Sequence, residues 1–232
     1  TMLPGWMGLV ITMLIAALVG LVNGFLIVSV GLNPLIATLG MLVLLRGSVL
    51  IVSSGRSIYS PPPSYTWLGS QRYFGVPVSV VLLLAIAIVI GILLQYHRYG
   101  RAIYAVGGNE EAARAAGINV NATIFSVYVL ASVLAGLGGI IAAGRLDSVV
   151  TTQGTGLIFD CFAAAVIGGI SLGGGKGTVI GAMSGVILIG VISNLLTLAQ
   201  VPSFWVQAST GGIIIVAATN RPEMIDPALL RS

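Results

Sequence analysis

The sequence predicts an all-α protein, a polytopic transmembrane helical bundle of about six to seven spans. Three observations carry that class. The 232 residues are 57% hydrophobic and only 7% charged, with a mean hydropathy of +1.08; a soluble domain carries about a quarter charged residues to face water. The apolar residues fall in runs close to the length of about 20 that crosses a bilayer. The 32 glycines suit helices that approach one another closely in lipid. Ten basic and six acidic residues cannot clothe a soluble globule of this length.

Each element follows from where those runs begin and stop. The first run, 6–30, opens almost at once and has no basic region before it, so it reads as a span and not as a secretory signal. Asn33-Pro34 interrupts the chain, and a second run covers 35–53. Residues 54–75 are polar and hold Pro61-Pro62-Pro63, which cannot continue a helix. Tyr59, Tyr65, Trp67 and Tyr73 flank the prolines, so this stretch reads as an external loop with aromatic interface anchors. A third run, 76–96, ends in His97-Arg98-Tyr99-Gly100-Arg101. Residues 97–121 are the one long stretch suited to water on the opposite side. A fourth run covers 122–144, and Arg145 to Gly156 form a short polar connection. The fifth run, 157–172, is weaker and short enough to be re-entrant. The Gly173–Gly177 turn, a sixth run at 178–199, the break at Pro202 and a seventh run at 204–218 complete the series.

Counting Lys and Arg orients the bundle. With 97–121 cytoplasmic, alternation places Arg98, Arg101, Arg114, Lys176, Arg221 and Arg231 inside and Arg56, Arg72 and Arg145 outside. Gly20/Gly24 and Gly181/Gly185 are small-xxx-small pairs that predict close helix packing.

Several chemistries are excluded. The net charge of +4 and pI near 9.6 would invite nucleic acid if the basic residues clustered. They stand singly at the ends of apolar runs, as membrane anchors do, so the expected surface partner is the lipid bilayer and not nucleic acid. The single cysteine, Cys161, allows no internal disulfide and no cysteine metal site. His97 stands alone at a membrane boundary, so no metal and no cofactor are expected. Gly173–Gly177 fails as a phosphate loop, because Ile170 stands where the first glycine is required and Gly177 follows Lys176.

The informative stretch is 100–119, GRAIYAVGGNEEAARAAGIN. Asn109 is placed to cap a helix whose first turn holds Glu110 and Glu111, where the helix dipole favours negative charge. Ala112, Ala113, Ala115 and Ala116 are strong helix formers, and Gly117 is suited to end the segment. The product is a short helix with too little apolar surface for a core of its own. It either docks in a groove on a partner or lies on the membrane as an amphipathic connector.

This stretch resembles the cytoplasmic coupling segment of the permease subunit in ribose-type, simple-sugar bacterial ABC importers. That segment reads Gly-Arg-x-x-Tyr-Ala-x-Gly-Gly-Asn followed by an Ala-rich helix and Ala-Gly-Ile. The similarity extends to Asn33-Pro34-Leu-Ile-Ala-Thr-Leu-Gly40, to Gly154-Thr155-Gly156, to the block from Ala165 to Gly177, and to Asn194 with its leucine-rich surroundings. It spans about residues 1–217. The resemblance implies a membrane-spanning subunit that moves a simple sugar (a ribose-like pentose, a hexose or a related compound) across the bacterial inner membrane by alternating access. It implies ABC ATP-binding subunits, a second permease copy and an extracytoplasmic sugar-binding protein as partners. The chain itself is expected to be no enzyme, since ATP is hydrolysed in the cassette. Coupling to that cassette is carried over onto Asn109, Glu110, Glu111, Ala112, Ala113, Arg114 and Gly117, within a coupling helix at about 109–117. The family also has further spans and a Ser-Gly-Gly-Ile-Asp-Leu-Ser-like segment upstream, so the chain reads as an N-terminally truncated permease.

The end of the sequence reads differently. Residues 213–231, IIIVAATNRPEMIDPALLR, resemble the sensor region of AAA+ ATPases, with Asn220 at the polar sensor position. The expected division is therefore a permease domain at 1–218 and a foreign AAA+-like tail at 219–232 with no nucleotide-binding role.

Four residues are candidates for a translocation pathway. Arg46 interrupts a span, where charge is costly; it faces an aqueous pathway, snorkels, or binds a carbonyl. Asp160, beside Phe159, either caps the fifth segment or lines the pathway. Asn194, like Asn23, lies within an apolar run and reads as interhelical glue or a sugar ligand. Two rival readings remain. A stand-alone channel or secondary carrier leaves the 109–117 helix without a purpose, and ion-coupled carriers place paired charges mid-span. A membrane-anchored AAA+ ATPase fragment needs a Walker A motif, which is missing.

Overall fold

The structure is a computed structural model that describes residues 5–59, 61, 63–202 and, past these, Trp205, Ala208, Gly211 and Gly212. It is helical almost throughout, as the composition requires. Among the described residues, five helices are long and apolar enough to cross a membrane: α1 (Gly5–Val28), α2 (Pro34–Ser53), α4 (Val78–Tyr96), α7 (Val120–Leu146) and α9 (Val179–Leu198). They match the first, second, third, fourth and sixth apolar runs. The fifth run becomes α8 (Leu157–Ile167), an apolar helix of 11 residues, shorter than the five long ones. The seventh run and the AAA+-like tail lie, but for a few isolated positions, outside the described residues.

Local signals set the ends of these helices. Pro34 opens α2 at a position with no intrahelical partner to lose, and the Asn33 side chain accepts from the Leu35 amide at 2.9 Å. Asn119 caps α7 by accepting from the Ala122 amide at 3.0 Å. Thr178 does the same for α9 through the Gly181 amide, also at 3.0 Å.

The chain divides into two units. The first holds residues 1–106 and 110–153, and its centre is the packing of α1 on α7. A methyl group added at Gly20 would sit 2.7 Å from the Val129 Cα, and one at Gly24 would sit 2.8 Å from the Phe125 ring. Further along, one at Gly136 would meet the Ala16 Cβ at 2.6 Å. Residue numbers rise on one helix as they fall on the other, so α1 and α7 are antiparallel. That is what alternation demands of a first and a fourth span. Asn23 is buried in α1 beside these glycines, and its carbonyl oxygen has no hydrogen-bond partner. The amide is thus buried as interhelical glue would be, without bonding through that oxygen.

The proline-rich loop corrects the expectation of an irregular external segment. Pro63 begins a helix, α3 (Pro63–Ser70), in the role of a first-turn residue and not as a breaker. The α3 helix lies against the end of α7 so closely that a Cβ at Gly69 would enter the Gly144–Arg145 backbone. The Ser70 hydroxyl donates to the Gly144 carbonyl at 2.6 Å. Tyr65 is half-buried with its hydroxyl 3.2 Å from that of Thr12, so it packs inside the unit, whereas Tyr59, Trp67 and Tyr73 stay exposed. Beside α3, β1 (Ile58–Tyr59) pairs antiparallel with β4 (Ser148–Val149). A small hairpin, β2 (Arg72–Tyr73) with β3 (Val76–Pro77), turns through Phe74 and Gly75, both at positive φ. Residues 58–59 and 148–149 therefore meet on one side, as the alternation of spans predicts.

The second unit, residues 107–109 and 154 onward, is built on an antiparallel pair of α8 and α9. Ala163, Ala164 and Ile189 form its buried core. At Gly168, Gly181 and Gly185 a Cβ would run into the carbonyl of Gly181, of Gly168 and of Ala164 respectively. Both small-xxx-small pairs read from the sequence thus fall at close helix crossings, Gly181 and Gly185 against backbone and Gly20 and Gly24 against the Val129 backbone and the Phe125 ring.

Candidate functional site

The strongest sequence motif folds into two helices: α5 (Arg98–Gly108) and α6 (Glu110–Ala115). His97 leaves the helical conformation at the end of α4, and its ring Nδ1 accepts from the Tyr99 amide at 3.2 Å. The chain then re-enters a helix, with Gly100 buried against the Leu93 and Leu94 backbone where any side chain would clash. Tyr99 fixes α5 to α7 through a hydroxyl pair with Ser126 at 2.5 Å. Arg101 folds back and donates to the Tyr96 carbonyl at 3.1 Å. Residues 97–121 read from the sequence as one water-exposed stretch with a single short helix after Asn109; the spacing of Tyr99, Ile103 and Val106, four and three residues apart, is the signal that identifies α5 as well.

The α6 helix occupies the stretch expected of it, with Glu110 and Glu111 in its first turn and Arg114 in its last. Its one buried residue is Ala113, 3% exposed, which packs with Val106 of α5 and Val120 of α7. Ala105, Ile118 and Ile124 close around them. Glu110, Glu111, Ala112, Arg114 and Ala115 are exposed. Of the residues carried over for coupling, Ala113 therefore seats the helix on the rest of the chain, and the others form an outward face with two carboxylates and one guanidinium. Asn109 is exposed and directly precedes the helix.

The end of α6 follows from one glycine. Gly117 adopts φ +79°, its amide donates to the Arg114 carbonyl at 3.0 Å, and the next amide, of Ile118, reaches back to Ala113 at 3.0 Å. This pair of bonds, with Ile118 packed on Ala113, is the left-handed stop that terminates helices at glycine. The chain then turns directly into the Asn119 cap of α7. The result is a short helix with a fixed C-terminal end, presenting a charged face.

The pathway candidates divide between the units. Arg46 is exposed on α2 in the first unit. Phe159, Asp160 and Asn194 belong to the second. Phe159 is exposed and Asp160 half-buried, both at the start of α8. The expectation that Asp160 caps α8 is corrected: Gly156, at φ +89°, occupies the cap, and Asp160 sits inside the first turn. There its charge still complements the helix dipole. Asn194 is exposed near the end of α9. Among the described residues no group of three or more His, Cys, Asp or Glu side chains is placed to hold a metal ion.

The Gly173–Gly177 stretch is a tight loop. The Ser171 amide donates to the Lys176 carbonyl at 2.9 Å and the Gly174 amide to the Ser171 carbonyl at 3.1 Å. Gly174 and Gly175 take positive φ, and α9 starts only after Thr178.

The family described as "Branched-chain amino acid transport system / permease component" matches residues 1–218. The ribose import permease protein of Escherichia coli K12 is 37% identical over 207 residues, covering 88% of this chain and 64% of that protein. The D-allose transport system permease protein of the same strain is 35% identical over 204 residues, covering 88% of this chain and 63% of its own length. For the L-arabinose transport system permease protein of that strain the figures are 36% over 197 residues, 85% and 60%. The chain thus spans less than two thirds of these three relatives. No solved structure matches it.

Proposed function

Because the chain belongs to the branched-chain amino acid transport system / permease component family, we propose that it is the membrane-spanning part of an ATP-driven importer of a simple sugar. It is a multi-pass protein of the inner membrane. The sugar class rests on the relatives, which are named for ribose, allose and arabinose. Two pentoses and a hexose point to a monosaccharide. ATP hydrolysis belongs to a separate ATP-binding cassette, an external binding protein delivers the sugar, and a second permease copy completes the pathway. Transport proceeds by alternating access, with the cassette biasing a two-state bundle from the cytoplasmic side.

One observation supports the cassette contact above the others. The α6 helix spends one residue, Ala113, on its own subunit and turns Glu110, Glu111, Arg114 and Ala115 outward. A helix so shallowly seated, yet held by a glycine stop and followed at once by a capped span, is shaped to be gripped by a partner. Contacts there move α6 and the start of α7 together. A membrane-surface connector would instead present an apolar face to lipid, and the outward face here carries three charges.

The test is co-purification from detergent with the cognate cassette. The intact chain is expected to retain the cassette, and the Glu110→Lys, Glu111→Lys double variant to lose it while remaining folded. A folded intact chain that never holds the cassette would sink the importer reading in favour of a stand-alone carrier or channel.

A further inference from the structure

The elbow between α4 and α5 breaks two electrostatic habits of helices. Arg98 opens α5 and Arg101 follows one turn later, so two guanidiniums stand where the helix dipole favours negative charge. Three residues apart, they share one face, and like charges so placed repel. No carboxylate offsets them. Residues 1–109 contain no Asp or Glu, and α7, which Tyr99 touches through Ser126, has none along Val120–Leu146. The nearest acids in sequence, Glu110 and Glu111, lie beyond the far end of α5, about 15 Å along its 11 residues. The α4 carbonyls offset part of the charge, since Arg101 donates to the Tyr96 carbonyl at 3.1 Å. Both arginines are exposed, and a guanidinium has further donors to offer.

The α4 helix supplies the apolar half of a site. None of its 19 residues is buried. Leu84, Ile88, Ile92 and Tyr96, each four residues after the last, form an exposed stripe along one face. That stripe ends at Tyr96, the residue whose carbonyl holds Arg101. Gly100, set against the Leu93 and Leu94 backbone, keeps the elbow tight. All of these residues belong to the first unit. A cationic pair thus sits at the end of an uncovered apolar stripe, at the level where a span leaves the hydrocarbon.

We propose that this elbow binds an anionic phospholipid, its phosphate held by Arg98 and Arg101 and an acyl chain laid along the α4 stripe. Phosphate oxygens satisfy the planar guanidinium fork in paired, charge-assisted bonds. Anionic headgroups attract basic residues close to the membrane surface, and Tyr96, 69% exposed, is an amphipathic ring at that level. Only an amphiphile matches both halves. A free phosphate leaves the stripe unused, and an apolar helix packed on the stripe leaves the two arginines without an anion. A general membrane anchor needs neither a pair of cations nor a choice of lipid charge; this elbow has the first and predicts the second.

Two measurements on the whole chain test the site, and neither involves a cassette or a sugar. In detergent, phosphatidylglycerol and phosphatidylcholine with the same acyl chains are titrated against the chain, and bound lipid is counted by native mass spectrometry. The intact chain should prefer phosphatidylglycerol. An arginine beside an anionic surface is worth a factor of about five, so Arg98→Gln with Arg101→Gln should cut that preference about 25-fold. Arg56→Gln with Arg72→Gln removes the same charge from two other exposed arginines and should leave the preference unchanged. A preference that survives the first pair, or falls equally with the second, overturns the site. Glycerol phosphate, a headgroup without chains, should not displace the lipid at equal concentration; displacement would make this a phosphate site and overturn the lipid. The second measurement holds even where the glutamine variants fail to fold. In cell membranes, benzoylphenylalanine in place of Tyr96 should on irradiation gain the mass of a phospholipid. Linkage to a second copy or to another protein would overturn the proposal.

Discussion

At the scale of single residues, the glycines divide sharply by what surrounds them. Gly185 faces the Ala164 carbonyl with no room for a Cβ, while Gly190, five residues on in the same helix, has nothing within 4 Å. Substituting alanine should therefore have opposite signs at the two sites. Gly185→Ala is expected to cost about 1–3 kcal/mol through overpacking, and Gly190→Ala to gain a few tenths up to about 1 kcal/mol from helix propensity. Thermal melts of the detergent-purified chain read both, and equal shifts would contradict the α8–α9 crossing. Asn23 offers a second residue-level test. Its carbonyl oxygen is buried without a partner, so the side chain stabilises little. Asn23→Ala should change stability by no more than about 1 kcal/mol, below the cost of removing a well-made interhelical hydrogen bond together with its burial. A larger loss in the same melt would mean that the amide is bonded after all. The sequence identifies the polar residue in an apolar run, but only packing says whether it finds a partner.

At the scale of elements, α6 shows how few residues define a motif. Its first-turn acids, alanine-rich middle and terminal glycine are all in the sequence, and the structure builds the helix over Glu110–Ala115. Gly117→Ala forces a side chain into φ +79°, a conformation that costs an L-residue about 1–2 kcal/mol. The last turn of α6 should then fray, seen as faster amide exchange at position 117 and at Ile118 with α7 unaffected. Unchanged exchange there would contradict the left-handed stop. The α3 helix is the opposite case. A run of prolines and aromatics reads as an irregular loop, because proline is disruptive in mid-helix. Whether Pro63 instead takes the harmless first position depends on α7 being there to receive Tyr65, Gly69 and Ser70.

At the scale of the whole molecule, the pairing of connections is the property to test. Gly107 and Gly108 pack with the 174–175 loop, and 58–59 pairs with 148–149. The second pairing agrees with strict alternation of the spans, and the first agrees with it where the 157–172 run, helix and flanking residues together, crosses the bilayer. In a Cys161→Ser background, single cysteines in place of Arg101 and Lys176 should react with a membrane-impermeant thiol reagent only from the cytoplasmic side, and one in place of Arg72 only from outside. Reaction of positions 101 and 72 from the same side would break the topology.

The sequence by itself determined the class, the positions of the five long helices, the shortness of α8, the short helix that begins at Glu110 and the two glycine crossings. All of these rest on local chemistry: hydrophobic length against bilayer thickness, helix propensity, caps, and the absence of side chains. Tertiary structure alone decided that α1 pairs with α7, that α3 is a helix, that Gly156 and not Asp160 caps α8, that Ala113 points inward, and that Gly107 meets Gly175. Each of these depends on what lies across a gap from residues distant in the chain. A glycine in the sequence reports only that room for a neighbour exists, and the fold decides which neighbour fills it.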